Sequence, residues 1–278
     1  MRFRDFFQRK LHLPLCSKQT DMADFTDTHT HLYDEAFDAD ADEVVRQSIV
    51  YGVGKMILPN VDSSTIGRMR ALAQRHPDHC FMLMGVHPTS LDADNTEREL
   101  ASVQEHLASG GYIGVGEIGM DLYWDKTYAK EQRYAFDAQL GMAGEYGLPV
   151  SVHCREAFDQ TLEILEGHAG RGLKGVFHCF SGDASMARRV LDNGMLLGVG
   201  GTVTYKNNPL KDVIKEVGVE NIVFETDSPY LAPVPYRGKR NMSSYIKDIA
   251  AFVSSYCGVT MEYISQVTEE NVRKTFGI

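Results

Sequence analysis

Short apolar runs recur along the chain, and several lack the polar alternation of a half-exposed strand, as in Met56-Ile57-Leu58 and Ile222-Val223-Phe224. A strand apolar on both sides is covered on both faces, as in a parallel sheet packed by helices. Eight candidates can be marked: Phe25–His29, Lys55–Pro59, Phe81–Val86, Tyr112–Glu117, Pro149–His153, Lys174–His178, Met195–Val199 and Asn221–Thr226. Between them lie segments of helical period. Ser63–His76 carries Ile66, Met69, Leu72 and Ala73 at spacings of three and four. Asp183–Asn193 carries Met186, Val190 and Leu191, with Asp183 as N-cap and Gly194 as C′ stop. Pro209 suits the first turn of a helix running towards Val217. Ser243–Cys257 and Met261–Phe276 read as closing helices. Repeated strand–helix alternation is what parallel strands with crossover helices require. The pattern predicts a single α/β domain, a TIM or (β/α)8 barrel. A doubly wound open sheet would carry a glycine-rich phosphate loop after its first strand. His29-Thr30-His31 stands there instead.

The length of 278 residues suits one such barrel. A hydrophobic content of 43% beside 24% charged residues is that of a globular enzyme, and no apolar stretch approaches a membrane span. The net charge of −10 argues against a protein that grips long nucleic acid through many phosphate contacts. It leaves room for an enzyme that binds a short end, because bound divalent cations add positive charge. Five widely spaced cysteines without a C-x-x-C imply reduced thiols and a cytoplasmic location. Cys154 and Cys179 each follow a histidine, so strand alternation aims them away from it. Residues 1–21 are expected to form a flexible N-terminal extension, with residues 22–278 as the barrel. The basic, aromatic start (Met1 to Lys10) is followed by too short an apolar stretch for a secretory signal.

What changes the picture is chemistry at the strand ends. The His29/His31 pair, Glu117, His153, His178 and Asp227 each lie at or just past the end of a strand candidate. In a parallel barrel those ends meet on one face, where such enzymes carry their active sites. In Asp27-Thr28-His29-Thr30-His31, extended backbone puts Asp27, His29 and His31 on one side. Two imidazoles there can hold a divalent cation, with a carboxylate as ligand or orienter. Glu117 follows a buried strand, where an unpaired carboxylate is costly and a cation partner is expected. Its two oxygens suit a bridge between two metals. Asp227 follows the same logic, with Glu225 two residues earlier on its face. A lone His153 or His178 would read as a satisfied core histidine; together, beside a carboxylate, they favour ligation. The mixed nitrogen and oxygen set suits one or two ions of zinc, manganese or magnesium.

The run of motifs resembles the TatD family of metal-dependent deoxyribonucleases, within the amidohydrolase superfamily. It comprises Asp27-Thr-His29-Thr-His31-Leu, Gly85-Val-His87-Pro, Gly116-Glu117-Ile-Gly-Met-Asp121, Leu148-Pro-Val-Ser-Val-His153-Cys-Arg155, Phe177-His178-Cys-Phe-Ser181-Gly182 and Glu225-Thr-Asp227-Ser-Pro, continuing to Asn241. The resemblance implies a TIM barrel that hydrolyses phosphodiester bonds of DNA, often from the 3′ end of single strands. It assigns His29 and His31 to one metal, His153 and His178 to the other, Glu117 to the bridge, and Asp227 to the first metal and to proton removal from water. Glu117 and Asp227 are thus the expected catalytic residues. His87, Arg155, Arg237 and Lys239 are expected to contact substrate phosphates. Tyr230 and Tyr236 are candidates to stack on bases or to pack their loop. The expected partners are DNA ends or short oligonucleotides, with no membrane and no obligate protein partner. Met242-Ser243-Ser244 departs from the family's usual continuation after Asn241, which puts the shape of that loop in question. Two other functions fit the same residues less closely. One is hydrolysis of an ester or amide, such as an aminoacyl-tRNA or a small cyclic amide. The other is a non-catalytic scaffold, which predicts lost ligands.

Overall fold

The computed structural model describes residues 25–278. The expected extension over residues 1–21, with Cys16, and residues 22–24 lie outside the described residues. Eight strands form one sheet in chain order, each parallel to the next. They are β1 (Phe25–Asp27), β2 (Val53–Pro59), β3 (Cys80–Met84), β4 (Gly114–Asp121), β5 (Val150–Arg155), β6 (Gly175–Phe177), β7 (Met195–Val199) and β8 (Ile222–Phe224). Between successive strands run α1 (Ala41–Val50), α2 (Ile66–Arg75), α3 (Thr96–Ser109), α4 (Ala129–Tyr146), α5 (Phe158–Gly167), α6 (Ala184–Asp192) and α7 (Leu210–Val217). Helices α8 (Ile246–Cys257) and α9 (Met261–Phe276) follow β8. The ring closes just past β1 and β8, where Thr28 N–H donates to Phe224 O at 3.0 Å and Thr30 bridges in parallel to Ser228. The observed fold is the (β/α)8 barrel that the patterning predicts.

Neighbouring strand residues divide between two cores. Met56, Leu58, Met84, Phe177 and Phe224 join a large cluster with buried helix residues such as Met69, Leu140 and Ile249. Ile57, Leu83, Val176 and Val223 form a smaller one with Val272 and Phe276 of α9. This division is strand alternation made three-dimensional: one set faces the helices and the other the barrel axis. Two residues beyond Val176 and Val223 on the inward face come His178 and Glu225. The barrel interior therefore changes from apolar to ionisable at its C-terminal end.

Local rules account for the helix limits. The Asp183 side chain accepts from Met186 N–H at 2.9 Å and starts α6, and Gly194 follows with φ +77°. Helix α2 begins three residues later than Ser63. The Thr65 hydroxyl accepts from Val61 and Asp62 N–H, and Ser63 is held by Glu99, so this stretch is a turn. Pro209 sits at the N-cap of α7, one position outside the first turn. Ser243–Tyr245 is a short 3-10 turn leading into α8, with Ser243 fully buried.

Strand β4 differs most from expectation. It continues four residues past Glu117 to Asp121, with a shift in its register against β5 between Val115 and Ile118. Glu117 is therefore within the strand rather than at its end. The continuation depends on Gly119, whose φ is +143° and where a Cβ would lie 1.9 Å from His153 O. His153 likewise lies inside β5, whereas His29, His31, His178 and Asp227 stand beyond their strands.

Candidate metal centre

The buried Glu117 carboxylate is the hub of the barrel mouth. Its Oε2 lies 3.2 Å from His29 Nε2 and 3.6 Å from His31 Nε2. Its Oε1 lies 2.9 Å from His153 Nδ1, 3.5 Å from His87 Nε2 and 3.8 Å from His178 Nε2. Asp227, with φ +56°, turns its carboxylate inward to 3.5 Å from His31 Nε2 and 3.9 Å from His178 Nε2. The six residues singled out at the strand ends thus meet in one place, joined by His87.

Their grouping is not a simple pair of pairs. His178 stacks on His29, ring centroids 3.4 Å apart, while its centroid is 6.5 Å from that of His153. Possible metal-holding sets are His29–His31–Asp227, His29–Glu117–His178 and His87–Glu117–His153. His153 neighbours His87, and His178 stands between both sides.

Hydrogen bonds behind the rings determine which nitrogens present lone pairs. Tyr33 O–H donates to Pro59 O, so its oxygen accepts from His31 Nδ1–H at 3.0 Å. That tautomer leaves His31 Nε2 with a lone pair aimed at two carboxylates and at His29 Nε2, 3.3 Å away. Such an array is repulsive unless a cation or extra protons occupy it. His29 Nδ1 is held by Ser151 Oγ at 3.1 Å. His87 is oriented the other way. Its Nδ1 accepts from Thr89 N–H at 3.2 Å, so Nε2 carries the proton and is a donor. His153 lies between carboxylates, with Nε2 2.9 Å from Asp121 Oδ2. His178 Nδ1 lies 3.1 Å from Glu225 Oε1, an ion-pair contact off the hydrogen-bond axis, and Glu225 Oε2 has no hydrogen-bond partner.

The electrostatics follow. Burial pushes the Glu117 carboxyl up, but the charges of His87 and His29 and hydrogen bonds from His153 and His29 outweigh it and hold it well below the usual range. Asp227 is also lowered, because His31 and His178 overcome its burial. For His178 burial favours the neutral ring, yet Glu225 prevails and raises its pKa. For His29 burial prevails, helped by His178, and lowers it. Buried anions charge-balanced by imidazolium protons are a set that exchanges protons for divalent metal. Lone pairs converging with carboxylate oxygens fit one or two such ions.

Several expectations require correction. The Asp27 carboxylate does not share the His29/His31 site. It accepts from Thr226 N–H at 2.9 Å and Thr226 Oγ1–H at 2.6 Å, because β1 ends there and alternation stops with it. Burial, against hydrogen bonds from Ser243 and Thr226, pushes this carboxyl up to about 7. Cys179, with φ +46°, is not in a strand, and its sulfur lies within 4.8 Å of ligand atoms of His178 and Glu225. Burial pushes the Cys179 thiol up, and that of Cys154 to about 11, so neither is an activated nucleophile. Tyr236 packs its loop, stacked on Tyr245 with ring centroids 3.9 Å apart, whereas Tyr230 is exposed. Arg237 lies over the Tyr205 ring at 4.6 Å, and Lys239 is exposed. Arg240, the other cation of that run, is structural: it makes a two-pronged pair with Asp40 at 2.8 and 2.6 Å. Sequence reasoning missed Tyr33 and Asp121 as orienting groups. Tyr33 lies past β1, where alternation no longer reports a side chain's direction, and Asp121 lies in the part of β4 beyond the expected strand end at Glu117.

The TatD related DNase family model matches residues 26–277. YabD of Bacillus subtilis (strain 168), an uncharacterized metal-dependent hydrolase, is 35% identical over 91% of this chain and 98% of its own length. The 3'-5' ssDNA/RNA exonuclease TatD of Pantoea ananatis (strain LMG 20103) is 30% identical over 91% of this chain and 99% of that protein. The crystal structure of YJJV, a TatD homologue from Escherichia coli K12, superposes with a TM-score of 0.86 at 30% identity, covering 92% of this chain and all 100% of that one. A family match over nearly the whole barrel, added to an anion–imidazole site made for divalent ions, shows that this chain belongs to the TatD family of metal-dependent hydrolases.

Proposed function

We propose that the protein is a nuclease that hydrolyses phosphodiester bonds of DNA, releasing nucleotides from the 3′ end of single strands in the cytoplasm. The observation that carries this reading is Glu117, whose two oxygens face different histidines. Two divalent ions would then be held by Glu117 together with His29, His31 and Asp227 for one and His153 for the other, which His178 would join through its Nε2, 3.8 Å from Glu117 Oε1. Bound divalent ions there supply Lewis-acid polarisation of the scissile phosphate and a more acidic attacking water.

The remaining tasks belong to the chain. Asp227 is held ionised and faces the cluster, so it takes the proton of the attacking water. His87 Nε2–H, fixed by the Thr89 contact, donates to a phosphate oxygen. Arg155, at the end of β5, and the exposed Arg237 and Lys239 are the cations that recognise the substrate's phosphates in this reading. His178, backed by Glu225, positions its Nε2 towards Glu117 and Asp227. The printed activity of the Pantoea ananatis relative supports the same reading.

The test is an activity panel on 3′- and 5′-blocked single-stranded oligonucleotides. The chain is stripped by chelator and reloaded with magnesium, manganese or zinc. Release of nucleotides that 3′ blocking abolishes, and that Glu117→Ala and Asp227→Ala each abolish, is expected. Intact strands beside cleaved aminoacyl-tRNA or cyclic amide would move the protein to the ester or amide hydrolases.

A further inference from the structure

Asp121 joins the metal centre to a feature outside it. One carboxylate oxygen lies 2.9 Å from His153 Nε2. The other accepts from the backbone N–H groups of Tyr123 at 2.9 Å and Trp124 at 3.1 Å. Asp121 is also the register partner of Arg155 at the ends of β4 and β5, and Leu122 N–H donates to Arg155 O at 2.9 Å. The β4–α4 loop and Arg155 therefore emerge side by side at the mouth.

There the Arg155 guanidinium lies 3.9 Å over the Tyr123 ring and 5.2 Å from that of Trp124. The two aromatic rings meet edge to face, 5.1 Å apart. The group remains open to solvent, with Trp124 69% and Tyr123 53% exposed. A stacked guanidinium keeps its N–H edge free, and among the described residues no carboxylate pairs with Arg155.

We propose that Tyr123, Trp124 and Arg155 form a stacking platform for an unpaired nucleobase of the strand being cut, with the Arg155 N–H edge donating to an adjacent phosphate. The proposal rests on the nuclease reading and names the substrate feature recognised. Every base has a π-face, so an aromatic platform binds single strands with little regard to sequence, whereas a base stacked in a duplex offers no such face. A cation within the platform matches the alternation of flat base and charged phosphate along the strand. Tethering the loop through Asp121 places the base a fixed step from His153, so that stacking sets the register of the cut.

Trp124 is the only tryptophan in the chain, so its fluorescence reports this site alone. The experiment titrates the full chain with phosphorothioate-linked oligothymidylate, which binds without turnover. A second titration uses a strand of the same length and charge whose bases are removed. Saturable quenching that needs about tenfold more abasic than base-bearing strand is expected, in line with the usual strength of one stacked base. In parallel, Trp124→Ala should raise KM for single strands about tenfold with kcat within about threefold, and Trp124→Phe should restore most of the loss. Equal half-saturation for the two strands, or an unchanged KM in Trp124→Ala, overturns the platform. Base-dependent quenching in a protein that cleaves no strand with any metal would overturn the nuclease reading and support the platform as a binding site.

Discussion

Replacing Gly198 by alanine tests how the second layer of the site controls the first. Gly198, on β7, sits opposite the Glu225 carboxylate. A Cβ there would lie 2.4 Å from Glu225 Oε2 and 2.9 Å from Oε1, against ordinary contact at 3.4–4 Å. The carboxylate must move by about 1 Å, yet it is fully buried and accepts from Cys179 N–H at 2.6 Å. The motion passes to the His178 ring, 3.1 Å away. Overpacking of this kind costs about 1–3 kcal/mol in stability. That corresponds to a fall in Tm of about 2–4 °C per kcal/mol for a domain of this size. Displacing a group that orients a ligand costs about 10–100-fold in metal affinity. The assay is competition for manganese or zinc against a chromogenic chelator, with thermal unfolding alongside. Glu225→Gln is the companion: it keeps volume and an acceptor for Cys179 N–H but removes the charge. A comparable loss of affinity with little crowding cost is expected. If both variants bind metal within twofold of the parent, Glu225 does not position His178 for ligation.

Three further outcomes follow from the same geometry. Asp121→Asn should lower metal affinity or kcat/KM about 10–100-fold, because His153 loses the carboxylate behind its Nε2; unchanged metal binding would mean that the ring is held by Glu117 alone. Arg240→Ala should cost about 1 kcal/mol, seen by urea unfolding, by freeing the Asn241 loop from Asp40. Hydrogen bonding to Arg240 holds Asp40 below its ordinary value, so this stabilisation is present above about pH 4, the unfolded-state value, and is lost as the pH falls through the folded one. A gap between parent and variant that widens in acid would refute that account. Finally, divalent metal at about 100 times its Kd should stabilise the stripped protein by about 2.7 kcal/mol, and a Tm indifferent to metal would mean that the cluster does not hold it.

The sequence by itself determined the architecture. Apolar runs without alternation specified covered strands, and a TIM barrel is the economical way to cover eight of them. It also named the residues that meet at the mouth, because the C-terminal part of a strand in a parallel barrel, and the residues just past it, have one place to go. Asp183 started a helix and Gly194 stopped it by local rules that need no tertiary context. Interactions between distant residues decided the rest. Glu117 lies inside β4 because Gly119 lets the strand follow β5 past His153. Asp27 turns to Thr226 because the barrel closes there. The His178 partnership rests on a ring stack with His29, 149 positions away in the sequence, and Arg240 serves Asp40 rather than substrate. Periodicity reports which face a residue occupies. Which neighbour it meets there, and with which nitrogen or oxygen, is decided only when the strands are brought side by side.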